Sequence, residues 1–335
     1  MAKFYYGGQA VMEGVMMRGR KSVAVGIRRL DGEIYVYEEG LNSRLYQNRL
    51  FHLPFLRGML LLWEVLVLGT RMMTLSANLA SGAIEPADLV PPEPGSQPGY
   101  EATADPASAG TVAPAAEKPL QIGGASLVLT LLVSLSLAVA VFFVGPLLLT
   151  SLLHKQLGEG WLNLAAEGAI RLALLVGYLY VIGRVPDIQR VFGYHGAEHK
   201  SINTLEAGKP LDVAHVRRAS RVHTRCGTGF MLLVMVVSIF VFALLGSPPL
   251  LIKILSRIVL VPVVAGIAYE LMRLGAANYR FRVVRWLLAP GMALQGLTTR
   301  EPDDSMIECA LAALKRVVER DSAGNQVDAP PMTVA

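Results

Sequence analysis

Two stretches of this chain can cross a bilayer as helices, and they constrain everything else. Gly123 to Leu153 carries no charge, and Gly227 to Gly246 is apolar apart from Thr228 and Ser238. A spanning helix needs about 20 apolar residues to cover a hydrocarbon core of about 30 Å. Two further runs qualify with charges near their ends. Leu164 to Gly183 holds Glu167 and Arg171, and Pro249 to Leu274 opens with Lys253 and Arg257 and closes with Glu270 and Arg273. These long side chains are expected to reach the headgroups. A composition of 53% hydrophobic and 17% charged residues agrees with a membrane-embedded chain. The expected fold is mainly α: about four transmembrane helices, a small N-terminal β-hairpin module, and interfacial helices on the cytoplasmic side.

Basic residues set the expected topology, because lysine and arginine gather on the cytoplasmic side. Arg184, Arg190, Lys200, Lys209, Arg217, Arg218, Arg221 and Arg225 all fall between the second and third spans. That loop, 184–226, is expected in the cytoplasm, and both termini with it. The first residues, MAKFYYGGQA, lack the apolar core of a signal peptide. A multi-pass protein of the bacterial inner membrane follows. Cys226 and Cys309 then lie where thiols stay reduced. The pI of 9.2 reflects positive-inside bias and attraction to membrane lipids, and gives no ground for a specific nucleic-acid partner. The oligomeric state is left open.

Four regions are expected. Residues 1–82 hold a hairpin, Ser22 to Arg28 and Glu33 to Tyr37 around Asp31-Gly32, which suits a primed turn. The same region holds an apolar helix, Phe55 to Ala80, whose Arg57, Glu64 and Arg71 share one face. Charges at mid-membrane cost about 2.5–3.5 kcal/mol each, so this helix is read as lying in the interface or packed on the bundle. Residues 83–119, rich in proline, alanine and glycine, read as a disordered linker. Residues 120–298 form the transmembrane domain, with Pro290-Gly291 expected to break a helix. Residues 299–335 form a C-terminal amphipathic helix and tail, with Ile307, Leu311, Leu314 and Val318 on one side and Asp303 or Asp304 as cap.

The chemistry concentrates in GYHGAEHKSINTLEAGKP, residues 193–210, where Gly208 and Pro210 mark a helix end. At 3.6 residues per turn His195, Glu198, His199 and Glu206 share a face, so two imidazoles can meet one ion. His195-Gly-Ala-Glu198-His199 also has the H-x-x-E-H order of inverzincin proteases, although five residues are weak evidence of homology. Topology brings His223, Cys226 and Glu270 to the same membrane surface. These are zinc-type ligands, and they leave a position for water. The bland alternative is histidines and arginines hydrogen-bonded to backbone or lipid phosphate. GGQAVMEGVMMRG, residues 7–19, adds Gln9, Glu13 and Arg18. Glu13 could serve as acid, base or ligand and Arg18 as an anion clamp, or the segment is a hairpin packed on the bundle.

Taken in order, GGQAVMEGVMMRG, YHGAEHKSIN, HTRCGTGF and APGMALQGLTTREPDD resemble the YqhQ-like family of bacterial membrane proteins, a domain of unknown function. The resemblance covers nearly the whole chain outside the linker. It implies a metal-dependent enzyme of unestablished reaction, and it marks Gln9, Glu13, Arg18, His195, Glu198, His199, His223, Arg225, Cys226, Arg300 and Glu301 without assigning roles.

The leading expectation is a cytoplasm-facing hydrolase using Zn²⁺ or another divalent metal. Its ligands would be His195, His199 and His223 or Cys226, with Glu198 or Glu13 as general base. The expected substrate is lipid-linked or a membrane protein, with Arg217, Arg218 and Arg221 available to hold phosphate. The rival is a non-catalytic scaffold or biogenesis factor whose charged face docks a membrane protein, ribosome or translocon. A transporter is a weaker third reading, because the spans carry few polar groups at mid-membrane.

Overall fold

The computed structural model describes residues 6–41, 56–86, 124–152, 161–246 and 248–327. Most of the linker expected over 83–119 lies outside them. Four strands, β1 (Gly7–Val11), β2 (Gly14–Arg18), β3 (Ser22–Arg28) and β4 (Ile34–Gly40), form an antiparallel meander in sequence order. The helices follow as α1 (Leu56–Ala80), α2 (Gly124–Val139), a π-turn (Ala140–Val144), α3 (Gly145–Leu152) and α4 (Trp161–Ile182). Then come α5 (Pro186–Glu206), the short α6 (Val213–Arg217), α7 (Gly227–Ala243), α8 (Leu250–Ala277), α9 (Arg282–Thr298) and α10 (Asp304–Val327).

Three helical stretches, Val128–Leu152, Leu162–Ile182 and Leu250–Ala277, are long and apolar enough to cross a membrane. The fourth apolar run forms α7, which has 17 residues. Leu129, Leu132, Val181 and Val259 on these helices are exposed, and surface of this kind is stable against acyl chains rather than water. This is a mainly helical membrane protein with a small sheet.

The charges of two spans depart from expectation. Arg171 and Arg257 do not reach for headgroups. Both are buried in the bundle on either side of Glu167. Arg171 donates to Glu167 at 2.6 Å, to Ser238 Oγ at 2.8 Å and to the Phe142 carbonyl of the π-turn at 3.0 Å. Arg257 donates to both Glu167 oxygens, at 2.9 and 3.1 Å, and its guanidinium lies 3.8 Å from the Phe242 ring centroid. Three charges can leave water together because each arginine faces the carboxylate, with an aromatic face beside it. Pro290-Gly291 likewise fails to break α9, which runs through it. Gly291 faces Gly229 of α7, where a Cβ would come within 3.4 Å of the Gly229 Cα, so α9 packs close to α7 at this point.

The sheet is buried on both faces. Val15, Met17 and Ala24 point into a core with Tyr194, Ile307, Cys309, Leu311 and Leu314, so α5 and α10 cover one side. Met16, Val23, Val25 and Ile27 meet Leu68, Met72 and Leu79 of α1 on the other. Gly26 is needed where β3 crosses α10, since a Cβ there would stand 2.3 Å from the Cys309 carbonyl oxygen. The two ends of the chain thus make one layered unit. α1 also touches the bundle, with Gly58 against Tyr269 of α8. From its charged stripe Arg71 reaches Glu39 at 2.9 Å, while the side chains of Arg57 and Glu64 lie outside the described residues. Asp303 is the cap of α10, accepting from Met306 N–H at 2.9 Å.

The β3–β4 hairpin stands where expected, with a different turn. Arg29 N–H donates to Glu33 at 2.9 Å, Gly32 N–H to Arg29 at 3.0 Å, and Gly32 alone takes a positive φ, of 85°. This is the longer loop with a left-handed glycine rather than a primed two-residue turn.

Candidate metal centre

The helix expected to end at Gly208 is present and begins well before His195, so much of the connection between the second and third apolar runs is helical. α5 starts at Pro186, whose missing N–H costs nothing at a helix N-terminus, and Asp187 complements the dipole there. It ends at Glu206, just before Gly208 at φ 65°, as the Gly-Lys-Pro sequence predicts. His195 and His199 meet edge to face along it, with ring centroids 4.4 Å apart. Gly196 lets the 299–303 segment lie across the helix, because a Cβ would meet the Arg300 carbonyl oxygen at 2.0 Å.

The third member arrives from the bundle. Cys226 caps α7, its sulfur accepts from Thr228 N–H at 3.4 Å, and His195 Nε2 lies 3.4 Å away. One ligand atom each from His195, His199 and Cys226 lie within 4.8 Å of one another. His195 Nδ1 stands 2.8 Å from the Thr298 carbonyl of α9, and His199 Nδ1 stands 2.6 Å from the Arg221 carbonyl. A carbonyl can only accept, so each Nδ1 carries a proton, and in the neutral ring Nε2 then offers its lone pair. His199 Nε2 is buried and has no hydrogen-bond partner. An uncommitted basic nitrogen in such a place suits a Lewis acid, and two nitrogens with a sulfur match the ligand preference of zinc.

Glu198 sits beside this group, buried, with a carboxylate oxygen 3.5 Å from His199 Nε2 and 4.0 Å from His195 Nε2. Gly8 of β1 lies against its side chain, so the sheet closes that side. His195 is the most accessible of the four, with its side chain 19% exposed.

The other residues marked by the sequence fall around this centre with partners of their own. His223 has its ring 5.6 Å from that of His199, but its Nε2 accepts from Arg225 at 3.1 Å and lies 3.8 Å from Glu206. Arg225 also bonds Glu206. Burial works to raise the Glu206 carboxyl, but its neighbours His223 and Arg225 outweigh it and hold it below the ordinary value. Glu13 is drawn to Arg190, which donates from both Nε and Nη2, and to the Tyr194 hydroxyl at 3.2 Å. That hydrogen bond raises the Arg190 guanidinium, and burial raises the Tyr194 phenol. Glu13 holds the left-handed φ of 52°, the sole non-glycine to do so among the described residues.

Gln9 lies over Gly69 of α1, Arg18 ends β2, and Glu270 is half-buried on α8. None of the three belongs to the ligand cluster. Arg217 pairs with Asp304 at the start of α10, and Arg218 is exposed. Cys309 is buried in the layered unit, where burial pushes its thiol up to about 11.

Sequence reasoning missed Gln295, which is buried and grips His223 twice. It accepts from the backbone N–H at 3.0 Å and donates to the carbonyl at 2.8 Å. It also missed the Thr298 and Arg221 carbonyls, since a backbone acceptor leaves no residue-type signal. Lys200, buried on α5, holds Glu301 and the Arg217 carbonyl, which ties the 299–303 segment to α5.

A family model described as a protein of unknown function, DUF1385, matches residues 53–320. The chain is similar to the uncharacterized protein YqhQ of Bacillus subtilis (strain 168), at 32% identity over 333 residues, covering 98% of this chain and 97% of that one. No solved structure matches. On the strength of both matches, the chain that builds this His-His-Cys group belongs to the YqhQ-like DUF1385 family.

Proposed function

We propose that the protein is a metal-dependent hydrolase of the bacterial inner membrane, with its site facing the cytoplasm. One observation carries this reading: two imidazoles and a thiol converge while the Nδ1 of each ring is already spent on a backbone carbonyl. The eight basic residues between Arg184 and Arg225 support a cytoplasmic position for α5. At 1.5 Å per residue, the 17 residues of α7 extend about 25 Å, near the lower limit for a crossing, so we take α7 as a fourth span. Four crossings put the sheet, α5 and α10 on one side of the membrane.

His195, His199 and Cys226 would hold the ion, Zn²⁺ or another divalent metal. When bound, it supplies Lewis acidity and brings the pKa of water toward about 7. Glu198 Oε2, next to both Nε2 atoms, takes the proton and returns it to the leaving group. The Nδ1 bonds to Thr298 and Arg221 keep the two rings aimed, and His195 is the side from which substrate enters. A substrate embedded in or linked to lipid fits a site at the end of the membrane helices.

The scaffold reading needs a free basic surface, yet Arg217 and Arg225 are paired within the chain. Complementation of a deletion strain separates the two. Glu198→Gln and His195→Ala/His199→Ala should both fail to complement, with Glu198→Gln retaining metal. If both complement fully while charge reversal at Arg217 and Arg218 does not, the protein is a docking platform.

A further inference from the structure

A cavity of about 570 Å³ opens between α7, α8 and α9, on the bundle side of the metal-ligand group. Its volume falls within the range of about 300–1,000 Å³ typical of small-molecule sites. Its walls are Leu232, Leu233, Val236, Leu271, Val284 and Leu288, and its polar lining is confined to Thr224, Asn278 and Gln295. A water needs two to four polar partners, so most of this space favours hydrocarbon.

The cavity's surroundings say which hydrocarbon. Leu271, Leu274, Phe281 and Leu287 line it and are also exposed on the outside of the helices, so it opens sideways to the acyl chains of the bilayer. At that rim α9 alternates exposed Arg282 and Arg285 with Val283, Trp286 and Leu287, the pattern of an interfacial helix. Arg280 lies over the Phe281 ring at 4.8 Å, which adds a third cation. Among residues 280–288 no acid opposes them. The inner end reaches Gln295, which holds His223, and Thr224, two residues before Cys226.

We propose that this cavity binds one acyl chain of an anionic phospholipid whose phosphate is met by Arg280, Arg282 and Arg285. Lipid occupancy stands on the cavity and its rim alone; that the bound lipid is the substrate rests on the metal-centre reading above.

The test uses the full chain reconstituted in neutral lipid with a small fraction of phosphatidylglycerol carrying a photoactivatable group in its tail. Saturable labelling of residues 229–236 and 284–292 is expected. Unlabelled phosphatidylglycerol should compete, phosphatidylcholine should compete weakly, and soluble glycerol phosphate should not compete. Arg280→Gln/Arg282→Gln/Arg285→Gln should lose the preference for the anionic lipid and keep tail labelling. Val236→Trp, which fills the cavity, should lose the saturable labelling while the exposed Leu129–Leu137 face still labels as background. His195→Ala/His199→Ala should label like wild type, so loss of metal and loss of lipid are read separately. Labelling of wild type that is unsaturable and equal on the Leu129–Leu137 face overturns the proposal whatever the variants do, and so does competition by glycerol phosphate.

Discussion

Two buried polar clusters in this molecule use their hydrogen-bonding capacity in opposite ways. In the bundle, Glu167 spends its carboxylate on Arg171 and Arg257, and Arg171 gives two further donors to Ser238 and the Phe142 carbonyl. Beside the sheet, His195 and His199 give one nitrogen each to a carbonyl and leave the other turned toward Cys226 and Glu198. The first cluster sets two guanidiniums against one carboxylate, leaving only a donor, Arg257 Nε, without a partner, and fastens α4 to α8. The second leaves the buried His199 Nε2 without a partner, an arrangement that suits an electrophile. Burial and charge alone do not distinguish a fastening from a site; the uncommitted acceptor does.

The largest effect should come from breaking the fastening. Glu167→Gln leaves two buried guanidiniums against a neutral amide, an expected loss of about 3–5 kcal/mol, read as a fall in melting temperature in detergent. Metal content per folded molecule should not change, and a parallel loss of metal would mean the clusters are one unit.

Gln295→Ala probes the other side. It strands the buried N–H and carbonyl of His223 at about 1–3 kcal/mol each, and by loosening the 223–226 segment should weaken metal affinity by about 10–100-fold in chelator competition.

A smaller effect is expected from pH. The folded Glu206 carboxyl lies below its ordinary value of about 4.3, so its contribution is complete above that pH and is lost as pH falls through the folded value. Glu206→Gln should flatten the acid side of a stability profile, and an unchanged profile would show that Arg225 and His223 do not act through this carboxylate. Smallest is Arg71→Ala on the exposed pair with Glu39, expected at no more than about 1 kcal/mol and with no change in metal content.

The sequence made the second cluster easier to foresee than the first. Histidines four apart on a helix with a glutamate between them announce a shared face, and the cysteine follows from where two apolar runs begin and end. Glu167, Arg171 and Arg257 looked like residues at the edges of spans, because hydropathy records how many charges a helix carries and says nothing of whether they face each other. The hairpin 22–37 was legible from alternation, yet its burial on both faces required knowing that α10 returns from the far end of the chain. Pro290-Gly291 misled for a related reason: local propensity breaks a helix, yet α9 runs through both residues while packed against α7. His223 illustrates the limit on sites, since its residue type suits zinc and only the neighbouring Arg225 and Glu206 show that its nitrogen is taken.

The most direct measurement is elemental analysis of the full chain, purified without a histidine tag, alongside His195→Ala/His199→Ala. The expected result is about one equivalent of a divalent metal in the wild type and almost none in the double variant, with both equally folded by melting. Equal, substoichiometric metal in the two proteins contradicts the assignment of the His195, His199 and Cys226 group as a metal centre.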